Sequence, residues 1–229
     1  MSDPSGPGAI IIGTRGSALA RWQAGEVGRL LVAAHPGLEV RERIIVTAGD
    51  RGQAGPAVPL EGKGAWVEEI EAALLAHEID VAVHSLKDVP AALAAGLAIV
   101  AVPTRADPRD AIVSRTGAGI DALPSGSRVG TSSLRRVCQL RAARADLSIE
   151  ILRGNVDTRL RKIAEGVVDA GVLAAAGLDR LGFSARIAER LDPARMLPAM
   201  QMPRLVDRLA RASGGAKVGT VPIFGDVWL

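Results

Sequence analysis

Aromatic side chains are scarce in this 229-residue chain, which has three tryptophans, two phenylalanines and no tyrosine. So few aromatic faces do not supply the stacking platform on which single-stranded nucleic acid binds, and we expect no nucleic-acid partner. The only cysteine, Cys138, excludes an intrachain disulfide and argues against a cysteine-based zinc site. No apolar run approaches the roughly 20 residues that span a bilayer, and no secretory leader opens the chain. We therefore expect a cytoplasmic protein with no membrane partner.

Apolar residues nevertheless make up 48% of the chain, enough for a substantial core. This core must be built from Ala, Val, Leu and Ile, which suits helices packed on a parallel sheet. Short apolar runs alternate with stretches of helical periodicity, and this rhythm predicts an α/β fold with largely parallel sheets. The predicted strands are 9–12, 40–46, 81–83, 97–102, 111–113, 128–130, 148–152 and 169–173, and the predicted helices are 17–34, 66–77, 132–143 and 156–165. A polar, proline-punctuated segment at 103–110 predicts a crossing between two domains.

Three segments, 12–17, 129–136 and 152–159, share one design: a strand ends, a short polar turn follows and a helix begins. In each, a hydroxyl or amide side chain can cap the helix, and the free N–H groups face outward beside an arginine. Any one of them alone is typical of an ordinary helix cap with a solvated arginine. Three together favour a site for a multivalent anion. No G-x-G-x-x-G follows a strand and no P-loop spacing occurs, which argues against the common nucleotide-binding loops.

The segment VHSLKDVP, residues 83–90, ends a predicted buried strand in a cluster of polar groups. Asp88 falls at the carboxyl end of that strand, where open α/β folds place their chemistry. An ionised carboxylate there stabilises a cationic intermediate or moves a proton. The alternative is that Lys87 and Asp88 form only a surface ion pair, and the residues alone do not decide between the two. Cys138 is expected to be buried and inert rather than reactive.

Taken together, these segments resemble the porphobilinogen deaminase (hydroxymethylbilane synthase) family. The matching runs include GTRGSALARWQA (13–24), EGKGAWVEEIEAALL (61–75), IDVAVHSLKDVPAALAAGL (79–97), RADPRDAIVS (105–114), VGTSSLRRVCQL (129–140) and the stretch 145–182. VHSLKDVP and GTSSLRR are highly specific to that family. The resemblance implies two periplasmic-binding-protein-like lobes around a cleft, here 1–103 and 104–199, with a mobile loop at 50–66 in the first lobe.

The resemblance also implies an activity: four porphobilinogens lose ammonia and condense head to tail into a linear tetrapyrrole for porphyrin and haem synthesis. It implies a dipyrromethane cofactor, a monomeric enzyme and Asp88 as the catalytic group that stabilises the cations formed. Each pyrrole ring carries two carboxylates, so the growing chain is the multivalent anion that the three turns would bind. The implied cofactor and substrate contacts are Arg15, Ser17, Lys63, Lys87, Thr131, Ser132, Ser133, Arg135, Arg136, Arg153 and Arg159.

After Ala199 the resemblance ends, and residues 200–229 form an atypical tail. The family continues with a return to the first lobe and a third, α+β domain that carries the cofactor cysteine, and we expect both to be absent here. Cys138 does not match the attachment position, so no cofactor cysteine is expected. Either the tail is truncated or out-of-frame sequence, or it holds a compressed remnant of the cofactor segment, with Ala216 in place of the cysteine. These features leave a rival function, an inactive two-lobed protein that binds pyrrole carboxylates or another polyanion.

Overall fold

The structure is a computed structural model that describes residues 9–52, 67–90, 93–199 and 226–228. The chain divides into two compact units, Met1–Arg105 with Gln201–Leu229 and Ala106–Met200. Each unit is a sheet with helices packed on it, so the α/β class expected from the sequence is confirmed. No helix within the described ranges is long and apolar enough to cross a membrane.

The strands of the first sheet lie in the order β2 (Val40–Ile44), β1 (Ile10–Thr14), β3 (Val81–Ser85) and β9 (Asp226–Trp228). Strands β1, β2 and β3 run parallel, as the βαβ rhythm predicts, while β9 pairs antiparallel with β3 at one edge. The elements of this unit are β1 (Ile10–Thr14), α1 (Ala18–Ala34), β2 (Val40–Ile44), α2 (Ala48–Gly52), α3 (Glu68–Leu75), β3 (Val81–Ser85), a 3-10 turn (Leu86–Asp88) and β9 (Asp226–Trp228). Because β1 and β3 are parallel neighbours, the turns that follow them lie side by side at the carboxyl ends of the strands.

The strands of the second sheet lie in the order β6 (Ser148–Glu150), β5 (Arg128–Gly130), β7 (Ala170–Ala174), β4 (Asp110–Ser114) and β8 (Glu189–Arg190). Strands β6, β5 and β7 are parallel, whereas β4 runs antiparallel to both β7 and β8. The elements are β4 (Asp110–Ser114), β5 (Arg128–Gly130), α4 (Leu134–Ala143), β6 (Ser148–Glu150), α5 (Val156–Ala164), β7 (Ala170–Ala174), α6 (Ala175–Arg180) and β8 (Glu189–Arg190), with 3-10 turns at Ile120–Ala122 and Ser184–Arg186. The first residue of β4 therefore lies beside the carboxyl ends of β5, β6 and β7.

Aliphatic side chains fill the cores of both units, as the scarcity of aromatics requires. Two buried clusters cover the faces of the second sheet, one around Ile112, Val129 and Leu140 and the other around Val113 and Ile163. Close packing between sheet and helix on both faces holds the strand ends, and therefore the turns that follow them, in fixed positions.

The strand expected at 97–102 is wrong, since this stretch contains only a single bridge residue at Ala101. Ile99 packs into the core of the first unit, but the side chain of Val100 is 71% exposed. An apolar run identifies residues that avoid water, yet a strand also needs a neighbouring strand with free hydrogen-bonding groups, and the run does not encode that neighbour.

Candidate active site

The turn after β1 places Arg15 at the carboxyl ends of the strands of the first sheet. Its guanidinium binds the Asp50 carboxylate, with Nη2 2.5 Å from Oδ1 and Nε 3.1 Å from the same oxygen. Asp50 is held in turn by the backbone N–H and the hydroxyl of Thr47, at 3.2 and 2.9 Å from Oδ2. Burial by itself would raise the pKa of Asp50, but the hydrogen bonds from Arg15 and Thr47 outweigh it, and the pKa lies below its ordinary value.

Ser17 begins α1 in the way that the sequence predicts for a helix cap. Its backbone is extended, and its hydroxyl oxygen accepts a hydrogen bond from the Ala20 N–H at 3.2 Å. The capping role expected for the other two turns is wrong, because neither Ser133 nor Asn155 makes a side-chain cap hydrogen bond. In the turn after β5, the hydroxyl groups of Thr131 and Ser132 form hydrogen bonds with loop backbone instead.

Strand β3 ends beside β1 and leads into the 3-10 turn that carries Asp88. The side-chain amide of the buried Gln23 donates to the Ser85 hydroxyl at 2.9 Å and so ties α1 to the end of this strand. Lys87 is exposed and Asp88 is half-buried. No ion pair joins the two side chains within the part of the chain that the structure describes, so the surface-pair interpretation of this dipeptide is not supported.

His84, next to this turn, is 4% exposed and its Nε2 atom has no hydrogen-bond partner among the described residues. Burial and, to a smaller extent, the positive charge of Arg15 together lower its pKa to about 4. The imidazole is therefore neutral at neutral pH and adds no positive charge beside Arg15.

The turn after β5 is held by its own hydroxyl groups. The buried Thr131 accepts a hydrogen bond from the Ser133 N–H at 3.2 Å, and Ser132 donates to the Leu152 carbonyl at 2.7 Å. The second contact joins this turn to the one after β6, which fixes two of the three predicted anion-binding turns against each other.

Two arginines in the first turns of α4 share one carboxylate. Asp110, whose side chain is 3% exposed, accepts from Arg135 Nη2 at 2.6 Å and from Arg136 Nη2 at 2.7 Å. Arg136 also donates to the Val172 carbonyl at 2.9 Å, and Arg135 donates to the Leu197 carbonyl. The buried Nε of Arg136 has no partner among the described groups.

The turn after β6 contributes Arg153 and Arg159. Gly154 has a φ of 114°, a left-handed conformation that favours glycine, and this bends the chain into α5. Neither arginine forms an ion pair with any described residue, and the buried Nε of Arg159 has no hydrogen-bond partner there. Burial and then the like charge of Arg136 lower the pKa of Arg159 below its usual range.

The second unit thus gathers Arg135, Arg136 and Arg159 at one sheet edge with a single buried carboxylate among them. The first unit gathers Arg15, Ser17, Lys87 and Asp88 at the edge where β1 and β3 end, while Lys63 lies outside the described residues. The sequence does not reveal the roles of Asp50 and Asp110, the two carboxylates that hold Arg15, Arg135 and Arg136. Asp110 falls within the run RADPRDAIVS, but nothing in that run pairs it with arginines more than 20 residues away.

A comparison with protein-family models matches residues 10–205 to the family described as "Porphobilinogen deaminase, dipyromethane cofactor binding domain". The chain belongs to the porphobilinogen deaminase family. A porphobilinogen deaminase of Syntrophobacter fumaroxidans is 56% identical over 191 residues, which cover 83% of this chain and 62% of that protein. The one of Sorangium cellulosum is 53% identical over 194 residues, covering 85% and 65%. The chain therefore spans less than two thirds of the length of these relatives.

Among solved structures, a periplasmic substrate-binding protein of an ABC transporter from Coxiella burnetii is similar, with a TM-score of 0.49 and 14% identity over 88% of this chain and 96% of that one. The periplasmic VFT2 domain of Bordetella pertussis BvgS also has a TM-score of 0.49, at 19% identity over 91% and 88%.

Dipyrromethane is the cofactor that this family binds. The arginine cluster of the second unit fits such a group. The buried Nε atoms of Arg136 and Arg159 lack partners within the described part of the chain, and the ring carboxylates would accept from them. A covalent attachment does not follow from the described residues. Cys138 is a free cysteine on α4 and is exposed, which overturns the expectation that it is buried.

Proposed function

We propose that this chain forms the active-site lining of a hydroxymethylbilane synthase, which condenses porphobilinogen units into a linear tetrapyrrole. The observation that carries the proposal is the buried Nε atom of Arg136 and that of Arg159, neither of which has a hydrogen-bond partner among the residues that the structure describes. A buried N–H without an acceptor destabilises a protein by about 1–3 kcal/mol, so such groups are retained where a ligand accepts from them. A carboxylate is the natural acceptor for a guanidinium, and every ring of the substrate and product carries two.

Several charged groups of the chain would divide the work. Arg136, Arg159 and Arg153 bind ring carboxylates, while Thr131, Ser132 and Ser133 hold the turn that supports them. Lys87, Lys63 and Arg15 add positive charge on the first lobe, residues 1–103. A bound dipyrromethane supplies the nucleophilic pyrrole carbon to which the first substrate is joined. Arg135, Arg136 and Arg159 of this chain would hold its carboxylates.

Asp88 would stabilise the substrate-derived cation that forms when ammonia leaves. Its carboxylate makes no ion pair with the described residues, so its negative charge is available to a ligand. A negative charge already fixed near a developing cation lowers the barrier because it needs little rearrangement. The same carboxylate would accept the proton that leaves after each condensation.

Calorimetric titration with porphobilinogen tests the binding part of the proposal. Arg159→Gln removes a partly buried cation, and we expect it to weaken binding by about tenfold or more. The matched control is Arg161→Gln on the same helix, because the Arg161 side chain is 67% exposed and pairs only loosely with Glu165 at 3.8 Å. Equal affinities of both variants and the unsubstituted chain would refute the anion site.

Consumption of porphobilinogen and intact mass test the catalytic part. With the mass recorded under native conditions, we expect an increase that corresponds to a dipyrromethane held without a covalent bond. We also expect consumption of porphobilinogen that Asp88→Asn abolishes while porphobilinogen still binds. Binding with neither consumption nor added mass would instead support the rival function, a two-lobed binding protein without catalysis. A monomeric, cytoplasmic state is part of the same proposal, and sedimentation of the purified chain tests the monomer.

A further inference from the structure

Asp110 stands out among the carboxylates of the second unit because it holds two arginines of the proposed site at once. One oxygen binds Arg135 at 2.6 Å and the other binds Arg136 at 2.7 Å, and the side chain is 3% exposed. Both oxygens of the carboxylate are therefore occupied by guanidinium groups of the chain. Whatever Asp110 does for the site, it does through the two guanidinium groups.

The backbone around Asp110 is fixed on both sides. Asp110 pairs in register with Ala174 at the end of β7, and its carbonyl accepts from the Leu191 N–H at 2.8 Å. The preceding carbonyl, that of Arg109, accepts from the Ala175 N–H at 3.0 Å. The carboxylate is therefore attached to a strand that is hydrogen-bonded on both sides rather than to a loop.

Each guanidinium is held at two points. Arg136 donates from Nη2 to Asp110 and from Nη1 to the Val172 carbonyl, and Arg135 donates to Asp110 and to the Leu197 carbonyl. A planar guanidinium fixed at two of its nitrogens no longer rotates, so the direction of its remaining N–H groups is set. One of these is the buried Nε–H of Arg136, which has no partner among the described groups.

We propose that Asp110 is a positioning residue, which orients the free donors of Arg135 and Arg136 toward an incoming carboxylate. Two cations this close repel each other, and one carboxylate between them offsets that repulsion while leaving net positive charge for the ligand. This inference rests on the proposed function for what the ligand is, but the orientation of the two arginines is testable without any ligand.

The competing role is purely structural, in which Asp110 only ties α4 to the sheet. The chain offers a matched control in Asp107, a carboxylate of the same unit that also binds two arginines, Arg109 at 2.8 Å and Arg190 at 2.8 Å. Neither of those arginines belongs to the proposed site. Asp107→Asn and Asp110→Asn therefore remove the same type of contact, one outside the site and one within it.

Porphobilinogen affinity is measured for both variants under conditions where urea titration shows that they are folded. We expect Asp110→Asn to bind about tenfold more weakly or worse, although it removes a negative charge from a cationic site, and Asp107→Asn to bind as the unsubstituted chain does. Simple electrostatics predicts tighter binding for Asp110→Asn, so the direction of the change separates orientation from net charge. Unchanged or tighter binding by folded Asp110→Asn would overturn the proposal.

Guanidinium NMR signals give a second measurement that needs no ligand. In the unsubstituted chain we expect separate Nη–H signals from Arg135 and Arg136, assigned by their loss in Arg135→Lys and Arg136→Lys, because their rotation is blocked. Averaged signals from both would overturn the proposal, and this measurement decides the matter if Asp110→Asn does not fold. If the unsubstituted chain does not bind porphobilinogen, the proposed function fails. The positioning role is then tested by the NMR signals alone: it is supported if the Arg135 and Arg136 signals become averaged in Asp110→Asn, and overturned if they stay separate.

Discussion

His84 makes the stability of the first unit sensitive to acid. The imidazole is 4% exposed on β3, and burial together with the charge of Arg15 lowers its pKa from 6.5 to about 4. Among the described residues, no acceptor lies within hydrogen-bond distance of Nε2 to stabilise the protonated ring. Protonation must therefore occur at the expense of the folded state.

The free energy of unfolding falls as the pH falls, because the unfolded chain binds the proton before the folded chain does. As the pH falls, the unfolded chain binds it first, at its pKa of about 6.5, while folded His84 remains neutral until about pH 4. The contribution to stability is thus fully present above about pH 6.5 and is lost as the pH falls toward 4. The loss is about 2 kcal/mol by about pH 5 and about 3 kcal/mol below pH 4.

Urea unfolding at about pH 7 and about pH 5 measures this loss for the unsubstituted chain and for His84→Gln. Other groups also titrate in this range, so the informative quantity is the difference between the two proteins. We expect the unsubstituted chain to lose about 2 kcal/mol more than His84→Gln does. His35→Gln is the control, because the His35 side chain is exposed, and it should behave as the unsubstituted chain. Equal acid losses in His84→Gln and the unsubstituted chain would refute the reasoning.

Two further predictions concern the turns of the candidate site, and both are checked by urea unfolding. Ser17→Ala should lower the free energy of unfolding by about 1 kcal/mol because Ser17 caps α1, whereas Ser133→Ala removes no cap contact and should change it much less. Gly154→Ala should destabilise by more than about 1 kcal/mol, since φ is 114° and the new Cβ would lie 2.6 Å from Thr158 Cγ2. Gly25→Ala should instead stabilise by up to about 1 kcal/mol, because the new Cβ at this helical position would contact nothing beyond the adjacent residues and backbone of its own helix. The reverse order of the glycine pair would contradict the backbone argument.

Local patterns predicted the elements whose signal is contained in a few neighbouring residues. The strand expected at 128–130 is found at Arg128–Gly130, and the helix expected at 17–34 is found at Ala18–Ala34, begun by Ser17. Apolar spacing and a capping hydroxyl are properties of adjacent positions, so one sequence is enough to identify them. The stretch 97–102 failed because strand formation there depends on a partner elsewhere in the chain.

The sequence did not predict the two carboxylates that bind the arginines, for a related reason. Asp50 binds Arg15 across 35 positions, and Asp110 binds Arg136 across 26. In both cases the sheet order brings the partners together, and for Asp110 it does so through the antiparallel direction of β4, which the βαβ rhythm does not predict. The sequence indicated that cations gather at the strand ends but gave no sign of which would be neutralised within the protein.

That distinction separates the arginines of the site into two groups with different physical roles. Arg15, Arg135 and Arg136 are held by carboxylates of the chain, so their orientation is set before a ligand arrives and little conformational entropy is lost on binding. Arg153 and Arg159 lack such partners among the described residues, and Arg159 is destabilised in its charged form by burial and by Arg136. A ligand carboxylate that pairs with Arg159 removes this unfavourable contribution from the folded state alone, and it therefore stabilises the fold as it binds. We therefore expect the held arginines to orient a bound polyanion, and pairing with Arg159 to add to its affinity.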